Sequence, residues 1–328
     1  MEIPGILYFE THMSAGVFGV GELQAGLRFA VLCRSMLLYL FSVLTRYLLT
    51  LTGARRKHLR VGSIRLVYYV LGPEDGEPWV FLHGLGSVAA TWGRTLFRLR
   101  RDCRLIVPEL SSFGGSKVPG GALGIRDGAL VVARLIEKES GRRPVTVAGL
   151  SLGGWLAMRL ALERPELVAR LVLINTGGYR NQDWEAIEHL VRVSDMAGVE
   201  RLYKAFFVKT PFVMEYSRGG FLQAYTSPPV LGALDRLSED DVFDDDDLRQ
   251  LRMPVALIWG ERDGLFRIEG ARAMAEALPD ATLEVLDGCG HAIHLECPER
   301  LADAVQRARR AVAPRRAAPL PEGAPSSI

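Results

Sequence analysis

The chain has 328 residues, with 40 Lys or Arg against 38 Asp or Glu and a formal net charge of +2. This balance provides no general attraction for nucleic acid, so no nucleic-acid partner is expected. Hydrophobic residues make up 48% of the chain, which excludes a disordered or fibrous protein and leaves two ordinary domains or one large α/β domain with an insertion.

An apolar stretch at residues 27–52 is interrupted by Arg28, Arg34 and Arg46, and it helps to raise the mean hydropathy of the chain to +0.12. At about 100° per residue, its polar side chains fall within an arc of about 160°, and the rest of the circle is apolar. This pattern predicts an N-terminal amphipathic helix that lies on a membrane surface. A helix that spans the membrane, or one that docks on the rest of the protein or on a second subunit in a homodimer, remains open.

Basic residues crowd the segment that follows, at Arg55, Arg56, Lys57, His58 and Arg60. Because positive charge flanks membrane segments on the cytoplasmic side, this cluster predicts a membrane-associated protein whose main domain is cytoplasmic. A soluble cytoplasmic protein is the alternative. A cleaved signal peptide is not expected, since the acidic segment before the apolar stretch is too long.

From about residue 60 onwards, short β-rich runs alternate with helix-like segments, which predicts a mostly parallel sheet with helices on both faces. The turn-forming residues 72–76 between the first two runs predict a hairpin. The predicted strands are residues 64–70, 79–82, 105–107, 145–148, 171–174, 255–259 and 282–286, and the predicted helices are residues 125–139, 153–163 and 270–278.

The interval from residue 179 to residue 250 contains no buried-strand run and is too long for an ordinary crossover. Its helical stretches at 184–197 and 200–207 predict a helical cap, inserted over the functional edge of the sheet. Acidic residues between 239 and 247 lack the spacing of a calcium loop and predict a solvated acidic face. The predicted organisation is an extension at 1–58, an α/β domain at 59–310 and a disordered tail at 311–328.

The cysteines are not expected to form a disulfide framework, because four in a chain of this length are too few. They also lack the spacing of zinc ligands, so no metal site is expected. Cys289 is predicted to be a small packed side chain.

The sequence Gly-Leu-Ser-Leu-Gly around Ser151 lies between a predicted strand and a predicted helix. A serine on such a sharp turn is the nucleophile of several hydrolases, because the turn exposes its hydroxyl group at the edge of the sheet. Small neighbours are needed where the backbone doubles back, and Gly149, Gly153 and Gly154 supply them. A chance match in a Gly-rich chain is the alternative.

A serine hydroxyl needs a base to take its proton, and the base needs an acid to hold its tautomer. We predict His291 as the base and Asp263 as the acid, since each follows a predicted strand and the chain order is serine, acid, histidine. His294 is a weaker candidate for the base and is expected to pack or to contact substrate. Glu261 and Asp287 are less well placed than Asp263 to act as the acid.

The segment Phe-Leu-His-Gly-Leu-Gly-Ser around His83 directly follows a predicted strand. A tetrahedral intermediate needs two backbone N–H donors, one after the nucleophile and one from an early loop of this kind. We predict the amides of Leu152 and Leu85 in this oxyanion hole, with Gly86 as the alternative to Leu85. His83 precedes the nucleophile in the chain and is expected to brace the loop.

Together these residues resemble the α/β-hydrolase superfamily over roughly residues 60–310. Within it, the chain looks similar to the monoacylglycerol-lipase branch. One loop departs from the usual Pro-Asp-Leu-Pro-Gly-Phe-Gly-x-Ser, because residues 108–116 carry Glu109 and lack the Pro-Gly turn. The motifs of the branch are Trp-Gly-Glu-Arg-Asp at 259–263, Asp-Gly-Cys-Gly-His at 287–291, His-Leu-Glu-Cys-Pro-Glu at 294–299, and His-Gly-Leu-Gly at 83–86 with Trp92.

The resemblance implies a serine hydrolase that cleaves carboxylic esters, including acylglycerols, without a cofactor. Haloalkane dehalogenases and epoxide hydrolases are excluded, because they carry Asp at the position of Ser151. Two alternatives remain: a carbon–carbon bond hydrolase, which keeps the serine, and a non-catalytic ligand receptor on the same fold.

Overall fold

The computed structural model describes residue 50 and residues 53–311. The amphipathic helix predicted at residues 27–52 and the disordered tail predicted at 311–328 lie outside the described residues, apart from Thr50 and Ala311, which ends the last helix. Among the described residues, none of the helices combines the length and the apolar character that crossing a bilayer requires.

In the described part of the chain, eight strands form one sheet in the order β1-β2-β4-β3-β5-β6-β7-β8. β1 and β2 run antiparallel to their neighbours, and the other pairings are parallel. This confirms the predicted α/β fold. The strands are β1 (Arg55–Val61), β2 (Ile64–Leu71), β3 (Glu77–Leu82), β4 (Cys103–Pro108), β5 (Val145–Leu150), β6 (Val168–Ile174), β7 (Val255–Gly260) and β8 (Ala281–Leu286).

Helices pack on both faces of the sheet, with α2, α3 and α10 on one face and α1 and α12 on the other. The helices are α1 (Gly93–Leu99), α2 (Ile125–Ser140), α3 (Leu152–Glu163), α4 (Trp184–Val191), α5 (Met196–Phe206), α6 (Phe212–Glu215), α7 (Arg218–Tyr225), α8 (Pro228–Leu234), α9 (Asp245–Gln250), α10 (Ile268–Ala277), α11 (Ile293–Glu296) and α12 (Pro298–Ala311). Short 3₁₀ turns lie at Ala89–Trp92, Pro165–Leu167 and Glu239–Asp241.

The hairpin predicted between the first two runs is wrong, because β4 lies between β2 and β3. The chain does reverse at Gly72, which has a φ of +88° and packs so closely on the carbonyl of Cys103 that a Cβ would lie 2.0 Å from that oxygen. A turn fixes the direction of the next strand but not its neighbour in the sheet. The hairpin of this region is β1–β2, which turns at Gly62.

The basic cluster forms part of β1, which starts at Arg55, ahead of the predicted boundary at residue 59. The ammonium of Lys57 lies 3.0 Å from the buried carboxylate of Glu139, to which Tyr68 donates a hydrogen bond of 2.7 Å. Burial raises the pKa of Glu139, but hydrogen bonds from Tyr68, Lys57 and Arg104 outweigh it and hold the pKa below its usual value. The cluster thus helps to hold the first strand on the domain.

The chain between β6 and β7 forms α4 to α9, which confirms the predicted helical insertion. The stretch predicted as one helix at 184–197 is interrupted, because α4 ends at Val191. A new helix then begins where Asp195 accepts a 2.7 Å hydrogen bond from the amide of Gly198. The inserted cap thus consists of several short helices, and the side chains of Asp183 and Asp195 cap the first two of them.

The acidic run after α8 is largely exposed, as the predicted solvated face requires, but three of its seven carboxylates also cap helices. Asp241 is buried, and its carboxylate accepts a 3.2 Å hydrogen bond from the amide of Ser238. Asp244 and Asp247 form a second reciprocal capping pair at the start of α9. These carboxylates cap helix starts, because each satisfies a backbone N–H group that a helix start leaves without a partner.

Candidate active site

Ser151 occupies the tight turn between β5 and α3, with φ +55° and ψ −119°. Such a backbone is strained for a residue with a side chain, and the surrounding contacts must hold it. A Cβ on Gly149 would lie 2.4 Å from the carbonyl oxygen of Gly153, and one on Gly153 would lie 2.3 Å from that of Leu82. The glycines of the motif are therefore required by packing, and they let the turn present Ser151 to the cap.

Asp263 and His291 lie side by side in the loops after β7 and β8. His291 Nδ1 lies 2.9 Å from Asp263 Oδ2, and both side chains are buried. Asp263 Oδ1 accepts hydrogen bonds of 2.8 Å from the amides of Leu265 and Phe266. A carboxylate fixed in this way accepts from Nδ1–H and leaves Nε2 of His291 as the proton acceptor.

Ser151 and His291 line the same cavity, although no hydrogen bond joins the two side chains among the described residues. Such contacts are often long in unliganded enzymes and tighten when substrate binds. The His291 ring is held between Phe206 and Phe266, with centroid distances of 4.8 and 5.4 Å. These aromatic contacts restrict the orientation of the His291 ring.

The early loop passes beside Ser151, since a Cβ on Gly84 would lie 3.3 Å from Ser151 Cβ. Leu85 and Leu152 both line the cavity. Within the described chain, neither of their amides donates a hydrogen bond to a protein acceptor. Two backbone donors are thus available near the nucleophile, as an oxyanion hole requires.

His83 braces this loop. Its Nδ1 lies 2.9 Å from the carbonyl of Gly84, and its Nε2 lies 2.9 Å from the amide of Leu110. Because Nε2 accepts from that amide, the proton is on Nδ1. Burial lowers the pKa of His83 to about 4, so the ring is neutral at pH 7.

Glu109 is the centre of the loop that departs from the superfamily pattern. Its carboxylate is buried, and Oε2 accepts a 2.9 Å hydrogen bond from the amide of Ala89. A Cβ on Gly114, which has a φ of +58°, would lie 2.0 Å from Glu109 Cδ. The side chain of Glu109 therefore fits only because residue 114 is glycine. Its hydrogen bond to Ala89 connects this loop to the 3₁₀ turn at Ala89–Trp92.

Sequence reasoning did not identify Asn175, which follows β6 at the same edge of the sheet. Its Oδ1 accepts from the amide of Gly260 at 2.8 Å, and its Nδ2 donates to the carbonyls of Gly290 and His291 at 3.1 and 2.8 Å. One side chain thereby connects the loop of the acid to the loop of the base. The available signal was a polar residue directly after a buried strand.

Cys289 is buried in the core, as predicted for a small packed side chain, but it also forms a disulfide with Cys297, which was not predicted. The bridge closes the loop that carries His291 and His294. Glu296 reinforces this loop by accepting a 2.7 Å hydrogen bond from the amide of Gly290. Two cysteines on either side of a predicted catalytic histidine were the available signal.

His294 is placed for contact with a ligand rather than for catalysis as the base. It does not pair with Asp263, whose Oδ2 faces His291. The ring is buried, lines the cavity and has no hydrogen-bond partner for either nitrogen within the described chain. Burial, followed by the effect of His291 and His83, lowers the pKa of His294 to about 3. A neutral ring of this kind both donates and accepts hydrogen bonds.

The cavity between the sheet and the cap has a volume of about 920 Å³, at the upper end of the range for small-molecule sites. Most of its lining is apolar. Among the described residues, no group of three or more His, Cys, Asp or Glu side chains is arranged to hold a metal ion. The apolar lining includes Leu85, Leu152, Trp155, Trp184, Ile187, Met214, Phe221, Tyr225, Leu234, Leu237, Leu265 and Leu295.

The class of α/β hydrolases is defined by features that this structure has. They are a mostly parallel sheet, a serine on the turn after β5, and a histidine after β8 paired with an aspartate after β7. Residues 79–304 match the alpha/beta hydrolase family, so the chain belongs to that family and is a hydrolase. The resemblance predicted from the motifs is thus confirmed for the superfamily. The monoacylglycerol-lipase branch stays a prediction.

Relatives within the family have several activities. The chain is 28% identical to a 2-hydroxymuconate semialdehyde hydrolase of Pseudomonas putida, over 71% of this chain and 86% of the relative. It is also 28% identical to a pimeloyl-[acyl-carrier protein] methyl ester esterase of Nitrosospira multiformis, over 76% of this chain and all of the relative. Among solved structures, a carboxylesterase of Bacillus subtilis superposes with a TM-score of 0.68 at 19% identity, covering 87% of this chain and 99% of that one.

Proposed function

We propose that the protein is a serine hydrolase that cleaves carboxylic esters through an acyl-enzyme. The observation that carries the proposal is the 2.9 Å contact between His291 and Asp263, which lies in the same cavity as the strained turn of Ser151. The pair prepares a histidine to accept a proton from a serine, and the cavity gives a substrate access to both.

In the proposed reaction, His291 Nε2 takes the proton of Ser151 Oγ as the oxygen attacks the ester carbonyl. The amides of Leu85 and Leu152 donate hydrogen bonds to the oxyanion of the tetrahedral intermediate. Asp263 holds His291 in the required tautomer and stabilises its protonated form. The protonated His291 then gives its proton to the leaving alcohol, and water, activated by the same ring, releases the acid.

The shape of the cavity supports esters with an extended acyl group. Its volume of about 920 Å³ and its apolar lining suit a hydrocarbon chain, whose burial contributes roughly 0.8 kcal/mol per methylene group. His294, Ser87 and Thr91 supply polar groups in the same cavity, where the alcohol part of an ester could bind. Acylglycerols, which join an acyl chain to a hydroxylated alcohol, match this combination.

Turnover of p-nitrophenyl esters from acetate to palmitate tests this proposal. We expect kcat/KM to rise with chain length until the cavity is filled, and Ser151→Ala to abolish turnover of the whole series. Ser194→Ala is the matched control, because Ser194 is exposed on the cap. Undiminished activity of Ser151→Ala would contradict the assignment.

Carbon–carbon bond hydrolysis is the second candidate, supported by the similarity to the 2-hydroxymuconate semialdehyde hydrolase. Ester cleavage is favoured because a dienoic diketo-acid carries a carboxylate, which needs a cation in the site. Among the described residues that line the cavity, Arg192 is the one Lys or Arg, and it already binds Glu188 and Asp235 at 2.7 and 2.9 Å. Faster cleavage of such acids than of any ester would make carbon–carbon bond hydrolysis the favoured function.

Membrane association through residues 27–52 also belongs to the proposal. Because β1 starts at Arg55, deletion of residues 1–53 removes no strand of the sheet. We expect the shortened protein to lose most of its membrane association and to keep its turnover of short soluble esters. Unchanged association would place the anchor elsewhere, and a change from dimer to monomer would identify the segment as a subunit contact.

A further inference from the structure

Tyr225, the last residue of α7, brings a phenol from the cap to residues 83–87, called here the oxyanion loop. Its ring packs on Gly86, since a Cβ on that glycine would lie 3.1 Å from Tyr225 Cε2. Its hydroxyl donates a long hydrogen bond, of 3.4 Å, to the carbonyl of Leu85. The side chain is buried and lines the substrate cavity. One residue of the cap thus contacts two consecutive residues of the oxyanion loop.

The chemistry of this contact has one direction. Burial raises the pKa of Tyr225, so the phenol stays protonated at pH 7. A carbonyl oxygen only accepts, and the hydroxyl is therefore the donor. Gly86 has a φ of +69°, which disfavours any residue with a side chain, and so the ring lies against bare backbone.

Two carbonyls determine where the amides of the oxyanion loop point. The carbonyl of Gly84 faces His83 Nδ1 at 2.9 Å, and the next carbonyl, that of Leu85, faces Tyr225. In a trans peptide the C=O and N–H groups point in opposite directions. Fixing these two carbonyls therefore fixes the N–H groups of Leu85 and Gly86, which are the two candidate donors from this loop. In the described chain neither amide donates to a protein acceptor.

The aromatic cluster that contains Tyr225 also contacts the proposed base. The ring of Tyr225 stacks on Phe221 with centroids 5.2 Å apart, and it meets the edge of Phe206 at 6.4 Å. Phe206 in turn lies 4.8 Å from the ring of His291. The cap thus contacts the base on one side of the cavity and the oxyanion loop on the other.

We propose that Tyr225 is a positioning residue for ester cleavage, which by holding the carbonyl of Leu85 keeps the backbone donors of the oxyanion loop aimed at the oxyanion. This inference rests on the function proposed above. Bonds within the loop, such as that of His83, fix only the first of the two peptides. The second depends on a hydroxyl supplied by the cap.

Tyr203 provides a comparison within the same cap. It is also a buried tyrosine, and its hydroxyl donates a 2.9 Å hydrogen bond to the carbonyl of Met214. That contact stays within the cap and does not reach the oxyanion loop. If the hydroxyl of Tyr225 served only to pack the cap, loss of either hydroxyl would have the same effect on turnover.

The first test is the turnover of p-nitrophenyl butyrate by Tyr225→Phe, which keeps the ring and removes one oxygen. Loss of a whole oxyanion donor lowers kcat by about 10²–10³-fold, and here only the aim of the donors is relaxed. We therefore expect kcat to fall about tenfold, with KM within about twofold. Tyr203→Phe is the matched control and should stay within about twofold in both constants. Unchanged kcat in Tyr225→Phe, or equal loss in both folded variants, would overturn the proposal.

A pair of ligands separates positioning from pocket packing. A trifluoromethyl ketone with an octyl chain adds to the serine and places an oxyanion in the hole, whereas the methyl ketone with the same chain resembles the uncleaved ester. Tyr225→Phe should weaken binding of the first about tenfold and leave binding of the second within about twofold. Equal weakening of both ligands would show that the hydroxyl only shapes the pocket, and would contradict the proposal.

Hydrogen exchange distinguishes failure of this inference from failure of the proposed function. The amide of Ser87 donates to the carbonyl of Gly84 at 3.2 Å, so its exchange reports opening of the oxyanion loop without any turnover. We expect faster exchange of this amide in Tyr225→Phe and no change in Tyr203→Phe. A natural protein that cleaves no ester and binds both ketones equally would refute the proposed function. Unchanged exchange in Tyr225→Phe would refute the positioning role in either case.

Discussion

Replacement of Asp263 by Asn tests the role of the carboxylate with almost no change in shape. In the protein, one oxygen accepts from the amides of Leu265 and Phe266, both at 2.8 Å, and the other accepts from His291 Nδ1 at 2.9 Å. Two backbone donors require an oxygen, so the amide nitrogen of the new side chain must face His291. That nitrogen is a donor, and it forces the proton of His291 onto Nε2, where the ring can no longer accept from Ser151.

The expected loss in kcat is about 10⁴-fold, the size that a histidine locked in the wrong tautomer causes, which corresponds to about 5.4 kcal/mol in the barrier. The assay is the turnover of a p-nitrophenyl ester, with circular dichroism and thermal unfolding to show that the fold is retained. Asp287→Asn is the matched control, because Asp287 is exposed in the same loop as the base and should change activity less than twofold. A folded Asp263→Asn protein that keeps more than about one tenth of the activity would refute the reasoning.

Three further predictions concern groups around the site. Glu139→Gln should reduce the free energy of unfolding by about 3 kcal/mol in urea titrations, because it leaves the mostly buried Arg104, as well as Lys57, without a carboxylate partner; a loss under about 1 kcal/mol would contradict this role. Cys297→Ser should cost about 2–3 kcal/mol, as loss of a short cross-linked loop does, and a reductant should destabilise the natural protein equally but not the variant. Since the pKa of His294 falls from 6.5 to about 3 on folding, the unfolded chain binds a proton in that window and stability decreases as the pH falls through it. His294→Gln should therefore lose about 2–3 kcal/mol less than the natural protein between pH 7 and pH 4.5, and identical losses would refute the burial argument.

The sequence predicted the central strands because their surroundings are simple. β5, β6 and β7 are buried on both faces, so each reads as an apolar run of a few residues that ends at the functional edge. Ser151 was also predictable from local sequence, because its turn needs glycines at fixed positions. The choice of Asp263 and His291 came from the order of loops along the chain, and the structure brings these two side chains together.

Pairings between distant residues were not predictable, because periodicity reports only local surroundings. The turn at Gly72 shows that the chain reverses but not that β4 enters between its two strands. The bridge between Cys289 and Cys297 depends on how the loop of the base folds back. Asn175 gains its role only when two loops distant in the chain meet at one side chain.

The central claim is that Ser151 is a nucleophile activated by His291, and covalent labelling tests it most directly. The full chain is treated with a fluorophosphonate, and mass spectrometry of its peptides locates the adduct. The account predicts one adduct, on Ser151, formed together with loss of ester turnover, and no adduct in Ser151→Ala. A folded protein that stays unlabelled, or one labelled at another serine while Ser151→Ala remains active, would contradict the account and favour a ligand receptor on the same fold.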